Sequence, residues 1–176
     1  MTRYRIDPVR SRVVIDGRST LHPIHTETDG LEGWLDLDVR DGAVDVRDGS
    51  ARGHVELPVD RLRSGNPIED KELQRRIDAR RFPTITGDVE MMSHNGALDT
   101  FVVAGALTFR GVTRRYEDRI LATASGDSTL AITGQSVFDI RDFGMEPPRI
   151  LMLKVDPMVT VRIDVVAERS AGEEGG

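Results

Sequence analysis

The sequence predicts an all-β protein: one closed antiparallel barrel of about eight strands with a single short helix. Three observations predict it. Apolar residues alternate with polar ones along most of the chain. Turn-forming dipeptides separate the alternating runs. One segment alone breaks the period-two pattern, and it carries the signals of a helix start.

The alternation is clear in order along the chain. Leu31, Leu35, Leu37 and Val39 share one face, while Glu32, Asp36 and Asp38 take the other with Trp34 among them. Val55, Leu57 and Val59 repeat the pattern against Arg52, His54 and Glu56. Ile85, Val89 and Met91 follow, then Phe101, Val103, Leu107 and Phe109, then Leu130, Ile132 and Phe138. The last stripe is Val155, Val159, Val161, Ile163 and Val165. Residues 12–15 and 115–123 are weaker strand candidates. Asp29-Gly30, Asp41-Gly42, Asp48-Gly49, Asn95-Gly96 and Gly126-Asp127 are dipeptides that reach positive φ at low cost, so they read as turns. Strands with one apolar face and tight turns bury that face and lose their edges by closing into a barrel.

The exception is Asn66-Pro67-Ile68-Glu69. Asn66 suits the N-cap, Pro67 the first turn, and Glu69 the return arm of a capping box, so a helix is expected over about residues 67–80. Leu73 and Ile77 lie four apart on its inner side. Phe82 precedes Pro83, which ends the element. The similar stretches 39–44 and 46–51 read as two neighbouring turns, not a duplication. Residues 1–170 form one domain, and 171–176 read as a disordered tail.

Composition narrows the function. The 176 residues carry a net charge of −6, which argues against a nucleic-acid partner and against docking on anionic membrane, a local basic patch aside. No cysteine is present, so disulfides and thiolate chemistry are excluded. No run of apolar residues is long enough to span a bilayer, so stable membrane insertion is not expected. No signal peptide follows Met1, and the expected location is cytoplasmic. A homodimer through a barrel face is left open.

Few residues look catalytic. His22 and His25 are three apart across Pro23, which on a strand places them on opposite faces, so no metal site is expected. His54 reads as solvent-facing and His94 as a turn residue. Glu72 and Arg76 make an ordinary helical pair. Two places suggest a polar rim. One is Asp139, Arg141 and Asp142 between apolar anchors, read first as an ion pair that fixes a turn. The other is Leu107-Thr108-Phe109-Arg110-Gly111-Val112-Thr113-Arg114-Arg115, a strand ending in a basic turn.

At these residues the chain resembles the YceI-like family of polyisoprenoid-binding proteins, which have a lipocalin-like barrel. The resemblance runs from about Tyr4 to Glu168. Tyr4, Ile6-Asp7-Pro8 and Ser11 are similar to the family's opening motif. Gly65-Asn66-Pro67, Asp70-Lys71-Glu72-Leu73 and Phe82-Pro83 with Ile85 are similar to its helix and return strand. Gly105, Leu107-Thr108-Phe109-Arg110-Gly111-Val112-Thr113-Arg114 is the most specific piece, and Phe138 with Ile140-Arg141-Asp142-Phe143-Gly144 matches its late signature. The resemblance implies an eight-stranded lipocalin-like barrel that holds a long isoprenoid, with no catalytic residue and no cofactor. The histidine-bearing segment 19–25 departs from the expected pattern.

The expected function is therefore binding and carriage of a polyprenol, polyprenyl phosphate or isoprenoid quinone. Its cavity would be lined by Leu35, Leu37, Val55, Leu57, Val89, Val103, Leu107, Phe109, Ile132, Phe138, Val159, Val161 and Ile163. Arg110, Arg114, Arg141, His22 and His25 are the candidates for the head group. Two rivals stand beside it. An isomerase or cyclase would use the same cavity through His22, His25, Asp139, Arg141 and Asp142. A filled barrel would serve as an interaction module, with Trp34 as its one hint.

Overall fold

The computed structural model describes residues 1–147, 149–150 and 152–171; the expected tail lies outside them beyond Ala171. The strands are β1 (Thr2–Ile6), β2 (Arg12–Arg18), β3 (Pro23–Thr28), β4 (Glu32–Arg40), β5 (Ala43–Asp45) and β6 (Arg52–Pro58). Helix α1 (Pro67–Ile77) follows. Then come β7 (Thr84–His94), β8 (Thr100–Phe109), β9 (Val112–Ser125), β10 (Thr129–Asp139), the short pair β11 (Arg149–Ile150) and β12 (Leu153–Lys154), and β13 (Met158–Arg169).

The pairing is antiparallel throughout and closes into an eight-stranded barrel. From β4 the path runs through β6, β7, β8, β9 and β10, and β10 pairs with β13. Closure falls to β13. Its first half pairs with β2, as in Ile163 with Val13, and its last residues pair with β1, as in Arg169 with Tyr4. Thus β1 and β2 are two halves of one broken strand, and β3 and β4 are the halves of its partner.

The break is made and repaired by three residues of the opening motif, Asp7, Pro8 and Ser11, together with Gly30. Asp7 accepts hydrogen bonds from the backbone N–H groups of Val9 and Arg10, which bends the chain at Pro8. The Pro8 carbonyl takes the N–H of Gly30, so the two broken strands are tied at the same height. Gly30 sits at φ 83°, where a side chain is disfavoured. Ser11, fully buried, stands in for the missing ladder: its hydroxyl donates to the Val166 carbonyl at 3.3 Å and accepts from the Val166 N–H at 3.1 Å.

One end of the barrel is packed shut. Tyr4, Leu35, Leu37, Met92, Phe101, Ala122, Leu130, Ile132 and Ala167 are buried together there. The Tyr4 hydroxyl donates to the Asp127 carbonyl at 3.0 Å, so its one polar atom is satisfied. In β7 the inward residue is Met92, not the expected Met91, which is exposed. A β-bulge between Val89 and Met91 inserts one residue and flips the alternation beyond it.

The other end carries α1 as a flap. Asn66 caps it as expected, accepting from the Ile68 N–H at 3.0 Å. The capping box is not closed by Glu69; the Ser64 hydroxyl takes the Asn66 N–H instead, at 3.2 Å. The helix ends at Ile77, short of the expected 80, because Asp78 adopts φ 58° and ends the helical turn. Two side chains fasten it to the preceding loop: Gln74 donates to the Val59 carbonyl and Asp70 accepts from the backbone and hydroxyl of Ser64, each contact at 2.7 Å. Glu72 pairs with both Arg75 and Arg76, which hold its carboxyl down at about 2.

The outer wall is laced with charge. His54 lies between Asp88 at 2.7 Å and Glu56 at 3.0 Å, and the hydrogen bond to Asp88, then that to Glu56, raise its pKa. Trp34 is not a bare patch, since the guanidinium of Arg3 covers its ring at 4.2 Å.

Two variants check these contacts. Ser11→Ala leaves the buried Val166 N–H without a partner, and the expected cost is about 1–3 kcal/mol in urea unfolding. His54→Gln acts on pH dependence. A raised pKa means that the protonated ring stabilises the fold; the effect is full below 6.5 and is lost as pH rises through the folded pKa. The wild type should lose about 0.2–1 kcal/mol relative to the variant across that window, read as thermal midpoints in a pH series.

Candidate functional site

The inside of a barrel end without large side chains is space. A cavity of about 420 Å³ occupies the end under α1. Its walls are apolar: Ile15 from β2, Val55 and Leu57 from β6, Ile85 and Val89 from β7 and Val103, Leu107 and Phe109 from β8. Phe138 of β10 and Val159, Val161 and Ile163 of β13 complete them, with Leu73 and Ile77 of α1 as the roof.

Leu35, Leu37 and Ile132 do not border this space, contrary to the sequence reading. They face inward, but in the packed end. Alternation tells inside from outside; it does not tell the filled half of a barrel from the hollow half.

Glycines that the stripes did not flag also line the space. Gly17, Gly87, Gly105 and Gly134 all border the cavity at positions where their strands point inward. At Gly105 a Cβ would lie 1.9 Å from the Asp88 carbonyl, where the bulge brings the β7 backbone close. At Gly17 a Cβ would meet nothing nearer than Val159 at 3.9 Å, so that glycine contributes open space.

The wall is not continuous. β9 and β10 pair from Ser125 opposite Thr129 only as far as Ile120 opposite Gly134, and then separate. Rings fill the parting. Tyr116 meets Phe138 edge-on at 4.8 Å and stacks over Phe143 at 6.2 Å, and Phe143 meets Phe109 at 5.6 Å. Burial, and next the carboxylate of Asp142, push the Tyr116 hydroxyl above 10.0, so it stands as a neutral phenol. Tyr116 and Asp118 were missed from sequence because residues 115–123 are charged at most outward positions and show only a faint stripe.

Polar groups on the lining are few: Thr26, Ser64, Thr86, Gln135 and Ser136, with Glu69 and Asp70 from α1, Asp88 from β7 and Asp118 from β9. Arg119 borders the cavity at the parting of β9 and β10. It is exposed, and alternation with inward Asp118 and Ile120 turns its side chain out.

The five head-group candidates lie elsewhere. His25 is on the outer wall, 2.6 Å from Asp16, because its neighbours Ile24 and Thr26 take the inward positions. His22 is in the β2–β3 turn, its Nε2 3.9 Å from Glu69. Arg141 forms a two-pronged pair with Asp139 at 2.7–3.1 Å, the turn-fixing arrangement weighed in the sequence. Arg114 is exposed on β9. Arg110 occupies a left-handed turn at φ 52° and donates to the Gly144 carbonyl at 2.5 Å, pinning the segment after β10 against the β8–β9 turn. None of the five borders the cavity, and neither do Asp139 and Asp142, so the constellation that motivated an enzyme is not assembled there. No cluster able to hold a metal occurs among the described residues.

Known structures share this architecture. BcnA of Burkholderia cenocepacia matches with a TM-score of 0.77 at 15% identity, covering 92% of this chain and 98% of that one. A polyisoprenoid binding domain from Saccharophagus degradans, implicated in plant cell wall breakdown, matches with a TM-score of 0.73 at 10% identity, over 97% and 100% of the two chains. The YceI protein of Campylobacter jejuni matches at 0.66 and 14% identity, over 82% and 84%. Among curated proteins none matches. The family model for the YceI-like domain matches residues 4–167, and the chain belongs to that family.

Proposed function

We propose that the barrel binds and carries an isoprenoid lipid with an uncharged polar end, an isoprenoid alcohol or quinone. The observation that carries this is the cavity lining: a nearly apolar space whose charged members, among the described residues, are the carboxylates Glu69, Asp70, Asp88 and Asp118 with one bordering cation, Arg119, which is exposed and turned outward by alternation. The volume of 420 Å³ falls among small-molecule sites, which run from roughly 300 to 1,000 Å³. Branched Val, Ile and Leu walls suit a methyl-branched chain, and each methylene moved from water into them contributes about 0.8 kcal/mol before ordering costs. Specificity for the chain then needs little polar recognition.

The head group is where the lining discriminates. A phosphate brought to this lining under α1 would face Glu69 and Asp70, while Arg119 borders the cavity from β9 with its side chain turned out, so like charges would repel in a poorly solvated place. A hydroxyl or quinone carbonyl finds suitable partners in Ser64, Thr26, Ser136 and the Tyr116 phenol near the parting of the wall. Belonging to the YceI-like family, with a polyisoprenoid binding domain among its structural neighbours, supports the isoprenoid class.

The test is mass spectrometry of an organic extract of purified protein, followed by reloading with a polyprenol and with the matching polyprenyl phosphate. The alcohol should bind and the phosphate should bind at least about tenfold more weakly, an effect of only 1.4 kcal/mol. Equal binding, or preference for the phosphate, refutes the uncharged head group; failure of both refutes the isoprenoid reading.

A second prediction uses the hollow. Gly17→Leu projects a side chain into the cavity without meeting backbone, so polyprenol capacity should fall while the thermal midpoint holds or rises. Unchanged capacity would place the ligand elsewhere.

A further inference from the structure

The two ends of the barrel differ in charge. At the cavity end the connections are 19–22, 59–83, 110–111 and 140–157, and they hold eleven basic against eight acidic residues. At the packed end the connections 41–51, 95–99 and 126–128 hold one basic against five acidic residues. The net charge of −6 is thus an average over a positive mouth and a negative base.

Exposed apolar residues sit on the same rim. Leu21 in the β2–β3 turn is 80% exposed, Ile68 at the start of α1 is 60% exposed and Met152 in the β11–β12 turn is 95% exposed. These elements are held together. The Thr20 N–H donates to the Lys154 carbonyl at 3.0 Å, and His22 approaches Glu69 of α1. Leu21 lies between those two contacts. Two of the three have a lysine close in sequence: Lys71 is one turn from Ile68 on the exposed face of α1, and Lys154 follows Met152 two residues on. They are the chain's only lysines. Neither makes an ion pair among the described residues, whereas Arg61, Arg75, Arg76 and Arg141 nearby do.

We infer that this rim docks on the surface of an anionic lipid bilayer, mouth down. Leu21, Ile68 and Met152 enter the interface, and Lys71 and Lys154 reach the lipid head groups. The pairing of an apolar side chain with a long cation is that of peripheral membrane contacts, in which area and charge add. The inference rests on the proposed ligand, because a chain that dissolves in bilayers must enter and leave the cavity at this end. The acidic base turns away from the same surface.

The test is flotation with vesicles of phosphatidylcholine alone and of phosphatidylcholine with about one third phosphatidylglycerol. Wild type should float with the anionic vesicles at low salt and be released at high salt. Lys71→Gln with Lys154→Gln should weaken partitioning by about fivefold per lysine. The triple variant Leu21→Ser, Ile68→Ser, Met152→Ser should abolish it, and Leu98→Ser at the packed end, also exposed, should leave it unchanged. Absence of flotation, equal flotation on neutral vesicles, or equal loss in Leu98→Ser overturns docking; capture by a protein partner only, with no vesicle binding, does so too. Polyprenol uptake from vesicle-free solution separates the two readings. Uptake without flotation removes docking alone, and flotation without uptake supports docking while removing the isoprenoid.

Discussion

Everything in this barrel depends on the closure at β13 and on the serine that makes it possible. A single strand opposite β13 would have to follow the curvature of the sheet along its whole length. Instead the first strand breaks at Pro8, and one backbone pair at Val166 faces the gap. In water that pair would be solvated; here it is buried, where a missing partner costs about 1–3 kcal/mol. Ser11 supplies both donor and acceptor to Val166, and Asp7 donates its own N–H to the same carbonyl. With the ladder intact across the break, β1 and β2 can diverge in direction. The chain packs tightly around Tyr4 at one end and opens at the other.

That divergence sets the distribution of volume. At the packed end Phe101, Leu130 and Tyr4 belong to one buried cluster, and Leu35 fills the space over Gly53. At the open end inward glycines take the place of side chains on β2, β7, β8 and β10. A fully packed interior is the more stable arrangement for a barrel of this size, since each cavity forfeits dispersion contacts. Gly17 leaves open space, whereas Gly87, Gly105 and Gly134 accommodate close neighbours, and bulky residues line the rest. Such a hollow is shaped, apolar and roofed by a helix that is tied down at Gln74 and Asp70.

The fold was legible because it is written in the pattern of single strands. Period two, Asp-Gly turns and the Asn66-Pro67 helix start are local signals, and the local signals agree with the closed sheet. The places where the reading failed are tertiary. The bulge that swaps Met91 for Met92 has no local mark beyond Gly105 on the facing strand. Leu35, Leu37 and Ile132 could not be told from cavity residues, because filling depends on what lies opposite, not on the residue itself. The basic residues looked like a head-group cluster since they gather at strand ends in the sequence. In the structure Arg110 and Arg141 bond to carbonyls and to Asp139, and the polar groups on the lining are mostly hydroxyls and carboxylates. Tyr116 lay hidden in a strand whose outward face is crowded with charge.

Net charge is a blunt guide for a related reason. A sum over the chain carries no information about position, and an up-and-down barrel sorts its connections strictly by end. Each hairpin turn belongs to one pole, and each long connection, 59–83 and 140–157, belongs to the mouth. Those two segments are the ones that interrupt the meander, bear the helix, hold both lysines and raise Ile68 and Met152 into solvent. The wall is designed by alternation and tolerates few changes on its inner face; the mouth is free of that constraint. Selection on how the cavity meets its surroundings can act there without disturbing the ladder. On the proposed function, the irregular segments are where the chemistry of entry is set, while the regular strands determine what fits inside.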